Sequence, residues 1–159
     1  MITKSSKVRV AVIGVGNCAS SFVQGVEFYK SASDEADVPG LMHVNLGGYH
    51  IRDIEFSAAF DVVVGKVGLD LSAAIWAHPN NTTKFSDVPE LGVPVQRGMT
   101  HDGIGKYVDM MVEKAPGPTD NIVEVLKDTG TDVVVSYLPV GSDMATKWYV
   151  EQILDSGCA

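Results

Sequence analysis

Apolar and polar positions follow two rhythms along this chain, and the rhythm changes wherever glycine or proline intervenes. Val8, Val10, Ala11, Val12 and Ile13 form a nearly continuous apolar run, the pattern of a strand covered on both faces. From about Asn17 to Lys30 the period becomes helical: Phe22, Val23 and Val26 recur at that spacing and Tyr29 closes the stripe. Ile54 to Phe60 reads as a second strand ending on Asp61, and Leu69 to Trp76 as a short helix with Asp70 or Ser72 as its cap. Pro89 to Gln96 is a short strand or extended segment, and Asp102 to Lys114 predicts a helix. Pro116-Gly117-Pro118 is a firm break, after which Thr119 predicts the cap of a helix through Asp128 with Ile122, Val123, Val125 and Leu126 on its apolar face. Asp132 to Leu138 is a strand, Pro139-Val140-Gly141 turns the chain, and Ser142 opens a final helix to about Asp155.

The join between the first strand and the first helix carries the candidate chemistry. Gly14, Gly16 and Ala19 form the G-x-G-x-x-A version of the dinucleotide fingerprint. Gly14 permits a tight turn, Gly16 lets the backbone approach a pyrophosphate, and Ala19 lets the helix lie close on the strand. The free N–H groups opening that helix would face an anion. Asn17 could donate to a phosphate or cap the helix, and Cys18 reads as a small packing residue without a partner base. Strands alternating with helices around this turn predict an α/β chain, a Rossmann-like, doubly wound, mostly parallel sheet, with residues 1–159 as one nucleotide-binding domain. Ser31 to Asp53 interrupts the rhythm and is long for a plain connection, so it should carry structure or function of its own. Ser156 to Ala159 reads as a helix C-cap and the first residues of another strand, with the sheet expected to be incomplete at that end.

Asp61 ends the second strand, where an acidic residue accepts hydrogen bonds from the adenosine ribose. It lies well beyond the about 20 residues the fingerprint expects, and the 31–53 segment accounts for the excess. Ser136, Tyr137, Leu138 and Pro139 sit at the carboxyl end of a strand, which in this architecture faces the ligand crevice. His43, His50, His78 and His101 show no metal-ligand spacing and read as structural or surface groups. Lys106 and Arg97 are weak candidates for holding a phosphate, and Lys4, Lys7, Lys66 and Lys127 fall in a tail or on polar faces.

Charge narrows the partners. A net charge of −8 argues against a nucleic-acid or membrane-surface partner, and any phosphate ligand must be held by local N–H groups and a few cations. No apolar run reaches membrane-spanning length, and the amino terminus lacks the apolar core of a signal peptide. Cys18 and Cys158 make no disulfide framework, which points to a reduced, cytoplasmic setting.

GVGNCASSFVQGVEFYK, VPGLMHV, GGYHIRDIEFSAAFDV, KVGLDLSAAI, NNTTKFSDV, VQRGMTHDGIGKY and VVVSYLPVGS together resemble the actinobacterial-type branch of the inositol-3-phosphate (myo-inositol-1-phosphate) synthases, from about Val8 to Ala159. The resemblance implies bound NAD, and glucose 6-phosphate as substrate of the complete enzyme. There the sugar is oxidised at C5, enolised, closed by an intramolecular aldol step and reduced again. It also implies a homo-oligomer, a tetramer, built through residues outside this chain. It adds Asp70 as a rival ribose contact to Asp61, places the Ser136–Pro139 block by the cofactor, and puts the catalytic lysines beyond Ala159, so no catalytic residue is assigned here. Val62-Val63-Val64-Gly65 departs from the more polar residues usual in the family at that place. The rival readings are a stand-alone NAD-binding regulatory module and a dehydrogenase fragment of the homoserine or diaminopimelate kind.

Overall fold

The computed structural model describes residues 7–102, 104 and 106–159. Its centre is β1 (Val8–Ile13), which pairs in parallel with β4 (Ile54–Asp61) on one side and β6 (Val133–Ser136) on the other. β5 (Val95–Arg97) pairs in parallel outside β4, so the four-stranded order is β5-β4-β1-β6. Helix α1 (Asn17–Tyr29) follows β1, α2 (Leu71–Ala74) lies between β4 and β5, α3 (Ile122–Asp128) precedes β6, and α4 (Asp143–Ser156) follows it. The chain crosses from β5 at one edge to β6 beyond β1, and that reversal opens a crevice at the strands' carboxyl ends.

The apolar run of β1 is explained by two cores, one on each face. Val12 packs with Ala19 and Val23 of α1 and Leu71 and Ala74 of α2, while Ala11 and Ile13 pack with Ile122, Leu126 and Tyr149 of α3 and α4. The alternation in β4 breaks at Ser57. Val10 pairs with Phe56 but Ala11 pairs with Ala58, so Ser57 is an extra residue in the ladder. Phe56 and Ala59 consequently face one core, Ala58 and Phe60 the other. The Ser57 hydroxyl finds a partner in the Thr131 hydroxyl at 2.8 Å.

Several expectations are corrected. Asp102 to Lys114 is not helical among its described residues, 103 and 105 lying outside them, as Lys4 does. Asp102 instead serves α4: its carboxylate accepts from the Met144 and Ala145 N–H groups, both at 2.9 Å. Those bonds hold its pKa below the ordinary aspartate value. Ser142 precedes α4 without capping it, because its hydroxyl donates to the Pro139 carbonyl. The cap of α3 is Asn121 rather than Thr119. The 31–53 segment does carry structure, a two-stranded hairpin of β2 (Asn45–Leu46) and β3 (Tyr49–His50). His50 there is buried: Nδ1 accepts from Arg52 N–H and Nε2 faces the Ala32 carbonyl. At the other end Gly157 (φ 87°) caps α4, and Ala159 bonds to both the Asp132 carbonyl and the Val134 N–H, a strand contact alongside β6. No helix among the described residues is long and apolar enough to cross a membrane.

Gly98 couples β5 to α4. Its N–H donates to the Asp61 carbonyl at 2.8 Å, and a methyl group on it would collide with the Tyr149 hydroxyl, which accepts from Met99 N–H at 2.8 Å. Gly98→Ala should therefore destabilise the chain by about 1–3 kcal/mol. In a Tyr149→Phe background the obstructing atom is gone and the same change should cost distinctly less. Equal costs in the two backgrounds, measured by urea unfolding, would show that the contact does not constrain Gly98.

Candidate functional site

A cavity of about 410 Å³ opens at the carboxyl ends of β1, β4 and β6. The glycine turn forms its floor. Gly14 adopts φ 85°, and a Cβ there would press on the Tyr137 carbonyl at 3.1 Å, so glycine is required on both counts. A Cβ on Gly16, by contrast, meets nothing within 4 Å. Gly16 is the N-cap of α1 and no side chain caps that helix, which leaves the N–H groups of its first turn for a ligand. Ala19 is fully buried beneath the turn, as close helix–strand packing requires.

Asp61 and Asp70 differ in what remains to them. A carboxylate has about four lone-pair sites. Asp61 lines the cavity and uses three, accepting from Val15 N–H on Oδ2 and from Val62 and Val63 N–H on Oδ1. Asp70 is outside the lining and uses four: the Ser72 N–H and hydroxyl, Leu91 N–H and Val93 N–H. Burial works to raise the Asp70 pKa, but those hydrogen bonds overcome it and hold the group below the ordinary aspartate value. Asp70 is thus the cap of α2 and the brace of the 91–93 segment, with three donors on Oδ1 and one on Oδ2, and what separates it from Asp61 is its place outside the cavity lining.

Tyr137, Leu138 and Pro139 line the cavity; Ser136 is exposed and does not. Burial raises the Tyr137 phenol pKa. Cys18 is exposed, not the packing residue its size suggests, and lies outside this cavity in a shallow surface depression with Ser21, Phe22 and Tyr137. Asn17 lines the cavity and does not cap α1; its side chain is tied to the 81–82 segment, with one amide proton beyond those bonds. Its Nδ2 donates to Asn81 Oδ1 at 2.8 Å, and its Oδ1 accepts from Asn81 N–H and the Thr82 hydroxyl, both at 2.9 Å. Arg97 is spent on the Ala115 and Gly98 carbonyls, and Lys106 lies over the Tyr107 ring, outside the lining.

Sequence reasoning missed four groups. Lys66, expected on a polar face, is only 2% exposed and is the one lysine or arginine among the described residues that lines the cavity. Burial lowers its pKa below the ordinary lysine value, with Asp61 opposing. Asn80 lies beside it. Tyr149 closes the wall behind Asp61, and burial pushes its phenol up to about 12. Thr100 also lines the wall, and its hydroxyl oxygen is sealed from solvent with no hydrogen-bond partner among the described residues. None of these carries a local pattern; they meet the turn only through long-range contacts. Val62, Val63, Met99, Ile104, Val108 and Val112 make most of the wall beyond β4 apolar, and His101, read from the sequence as a structural or surface group, also lines it.

No family profile matches the chain. Curated relatives do. The inositol-3-phosphate synthase of Mycolicibacterium smegmatis is 54% identical over 159 residues, which is 100% of this chain and 44% of that protein. Those of Mycobacterium tuberculosis and Corynebacterium glutamicum are 56% and 50% identical over 98% of this chain, covering 42% and 43% of their own length. The chain therefore spans less than half of these relatives, matching their amino-terminal part. Among solved structures, that of Ari2 superposes with a TM-score of 0.80 at 32% identity, covering 96% of this chain and 44% of the other. A myo-inositol-1-phosphate synthase-related protein from Thermotoga maritima shares the fold, with a TM-score of 0.53 at 23% identity over 96% of this chain and 41% of its own.

The unpaired Thr100 hydroxyl gives a stability prediction. Thr100→Val keeps the shape and removes a buried polar atom that has no partner, so the unliganded chain should gain about 1 kcal/mol. A loss of stability in chemical unfolding would mean that the hydroxyl is bonded in solution.

Proposed function

We propose that this chain, a member of the inositol-3-phosphate synthase family over the stretch it shares with those relatives, is the NAD-holding part of an enzyme that converts glucose 6-phosphate to inositol phosphate. The observation that carries this reading is the uncapped start of α1, set on a glycine turn at the reversal point of a parallel sheet and opening into the cavity. The residues suit NAD. Gly16 leaves space for a pyrophosphate, and the fourth lone pair of Asp61 is available to a ribose hydroxyl. The apolar wall beyond β4 suits adenine, and the Tyr137–Pro139 loop suits the nicotinamide ribose. Bound NAD would supply a hydride acceptor and later return the hydride to the sugar. The chain's own groups bind and orient it. A homo-oligomeric, cytoplasmic enzyme goes with the same reading.

NAD should bind in preference to NADP. A 2′-phosphate would stand against the Asp61 carboxylate, and the only lysine of the lining among the described residues is engaged elsewhere. Gly16→Val should abolish NAD binding while leaving the fold intact, since the added side chain projects into open space. Calorimetric titration decides both points: equal affinity for NADP removes the ribose assignment, and unchanged NAD affinity in the variant removes the turn assignment.

The 159-residue chain by itself should not form inositol phosphate. The chemistry needs a base for the proton beside the new ketone and a cation for the enolate oxygen. Lys66, the one lysine in the lining among the described residues, is tied to two oxygen acceptors of the chain itself. An assay with glucose 6-phosphate and NAD is the check. Turnover on the order of 1 per second would place the catalytic groups within these residues.

A further inference from the structure

Val15 is wholly buried, and both lone pairs of its carbonyl oxygen are taken, by Lys66 Nζ at 2.7 Å and Asn80 Nδ2 at 3.0 Å. Lys66 Nζ also donates to Asn80 Oδ1 at 2.8 Å, closing a ring of three groups. The other Asn80 amide proton goes to the Ile75 carbonyl at 2.9 Å, so the asparagine is anchored to the end of α2. A trans peptide is planar, with its C=O and N–H pointing in opposite directions. Fixing the Val15 carbonyl toward Lys66 therefore aims the Gly16 N–H the other way. The amides before it are spent: Gly14 N–H on the Phe60 carbonyl at 2.8 Å and Val15 N–H on Asp61 at 2.7 Å. Gly16 N–H is the first along the turn with no partner among the described residues, and Gly16 lines the cavity.

We propose that Lys66 is a positioning residue of the anion site: with Asn80 it locks the Val15–Gly16 peptide in the orientation that presents the Gly16 N–H to a phosphate group. The proposal rests on the dinucleotide reading above and deepens it. In the reverse orientation the carbonyl oxygen would stand where the N–H now stands, and a phosphate would meet the negative end of the peptide. Gly16 has no Cβ, so sterics alone choose weakly between the two orientations. The choice is made by the carbonyl's partners. A lysine does this more strongly than a neutral donor, because a hydrogen bond from a charged group is about twice as strong and polarises the peptide it holds. The cation is buried against two neutral oxygens, so its charge is not consumed by an ion pair at those contacts.

The test compares two ligands on the 159-residue chain by calorimetry: ADP-ribose, which carries the pyrophosphate, and adenosine, which carries none. Lys66→Met should weaken ADP-ribose by about tenfold or more and leave adenosine within about twofold. Asn80→Ala should shift the pair of affinities in the same direction while keeping the cation. The Gly16 amide resonance of the unliganded chain should move in both variants. If Lys66→Met does not fold, Asn80→Ala alone carries the comparison. Unchanged ADP-ribose affinity in a folded variant overturns the proposal, as does a loss shared equally by adenosine, which would make Lys66 a support of the fold only. A wild-type chain that binds neither ligand overturns the dinucleotide reading and this proposal with it. Wild-type binding with an indifferent Lys66→Met overturns this proposal alone.

Discussion

Parallel pairing of β1 with both β4 and β6 is the constraint on which the rest depends. Where a strand has neighbours on both sides and cores on both faces it has no exposed surface for polar residues, hence the apolar run from Val10 to Ile13, with the one charged residue, Arg9, at the exposed start of the strand. Parallel neighbours cannot be joined by tight turns, so the chain must leave the sheet and return through a crossover after each strand. All carboxyl ends then lie on one side, and the glycine turn, Asp61 and the Tyr137–Pro139 loop meet there although they are far apart in sequence.

Periodicity exposed the parts of this fold that local chemistry decides. β1, α1, β4 and α4 were legible to within a residue or two, because each has a long apolar pattern and a glycine or polar boundary. The stretch from Asp102 to Lys114 was not. It has helical composition, yet Asp102 is drawn off to cap α4, and the segment offers Ile104, Val108 and Val112 to the cavity instead of a stripe to the core. Tertiary demand overrode propensity. The bulge at Ser57 is equally invisible, since IEFSAAF reads as a strand whichever way its side chains point.

The candidate site divides in the same way. The glycines and Asp61 could be found because strand, turn and helix follow one another and dictate where an acid must stand. Asp61 and Asp70 could not be ranked because a carboxylate before a helix looks alike whether it caps or binds; only the folded chain puts Asp61 in the cavity lining and Asp70 outside it, bonded to α2 and the 91–93 segment. Lys66 and Asn80 were missed for a different reason. Their value lies in a backbone carbonyl more than fifty positions away, and nothing around either residue announces it.

The burial of Lys66 bears on how this chain responds to ionic strength. Its net charge of −8 opposes an approaching phosphate ligand from a distance, and dissolved salt shortens that repulsion, to about 8 Å at physiological strength. In the proposed site the attraction would come from peptide dipoles and one cation that is 2% exposed, and salt reaches these poorly. Added salt should then ease the encounter without loosening the hold, the reverse of what a site built from surface lysines would do.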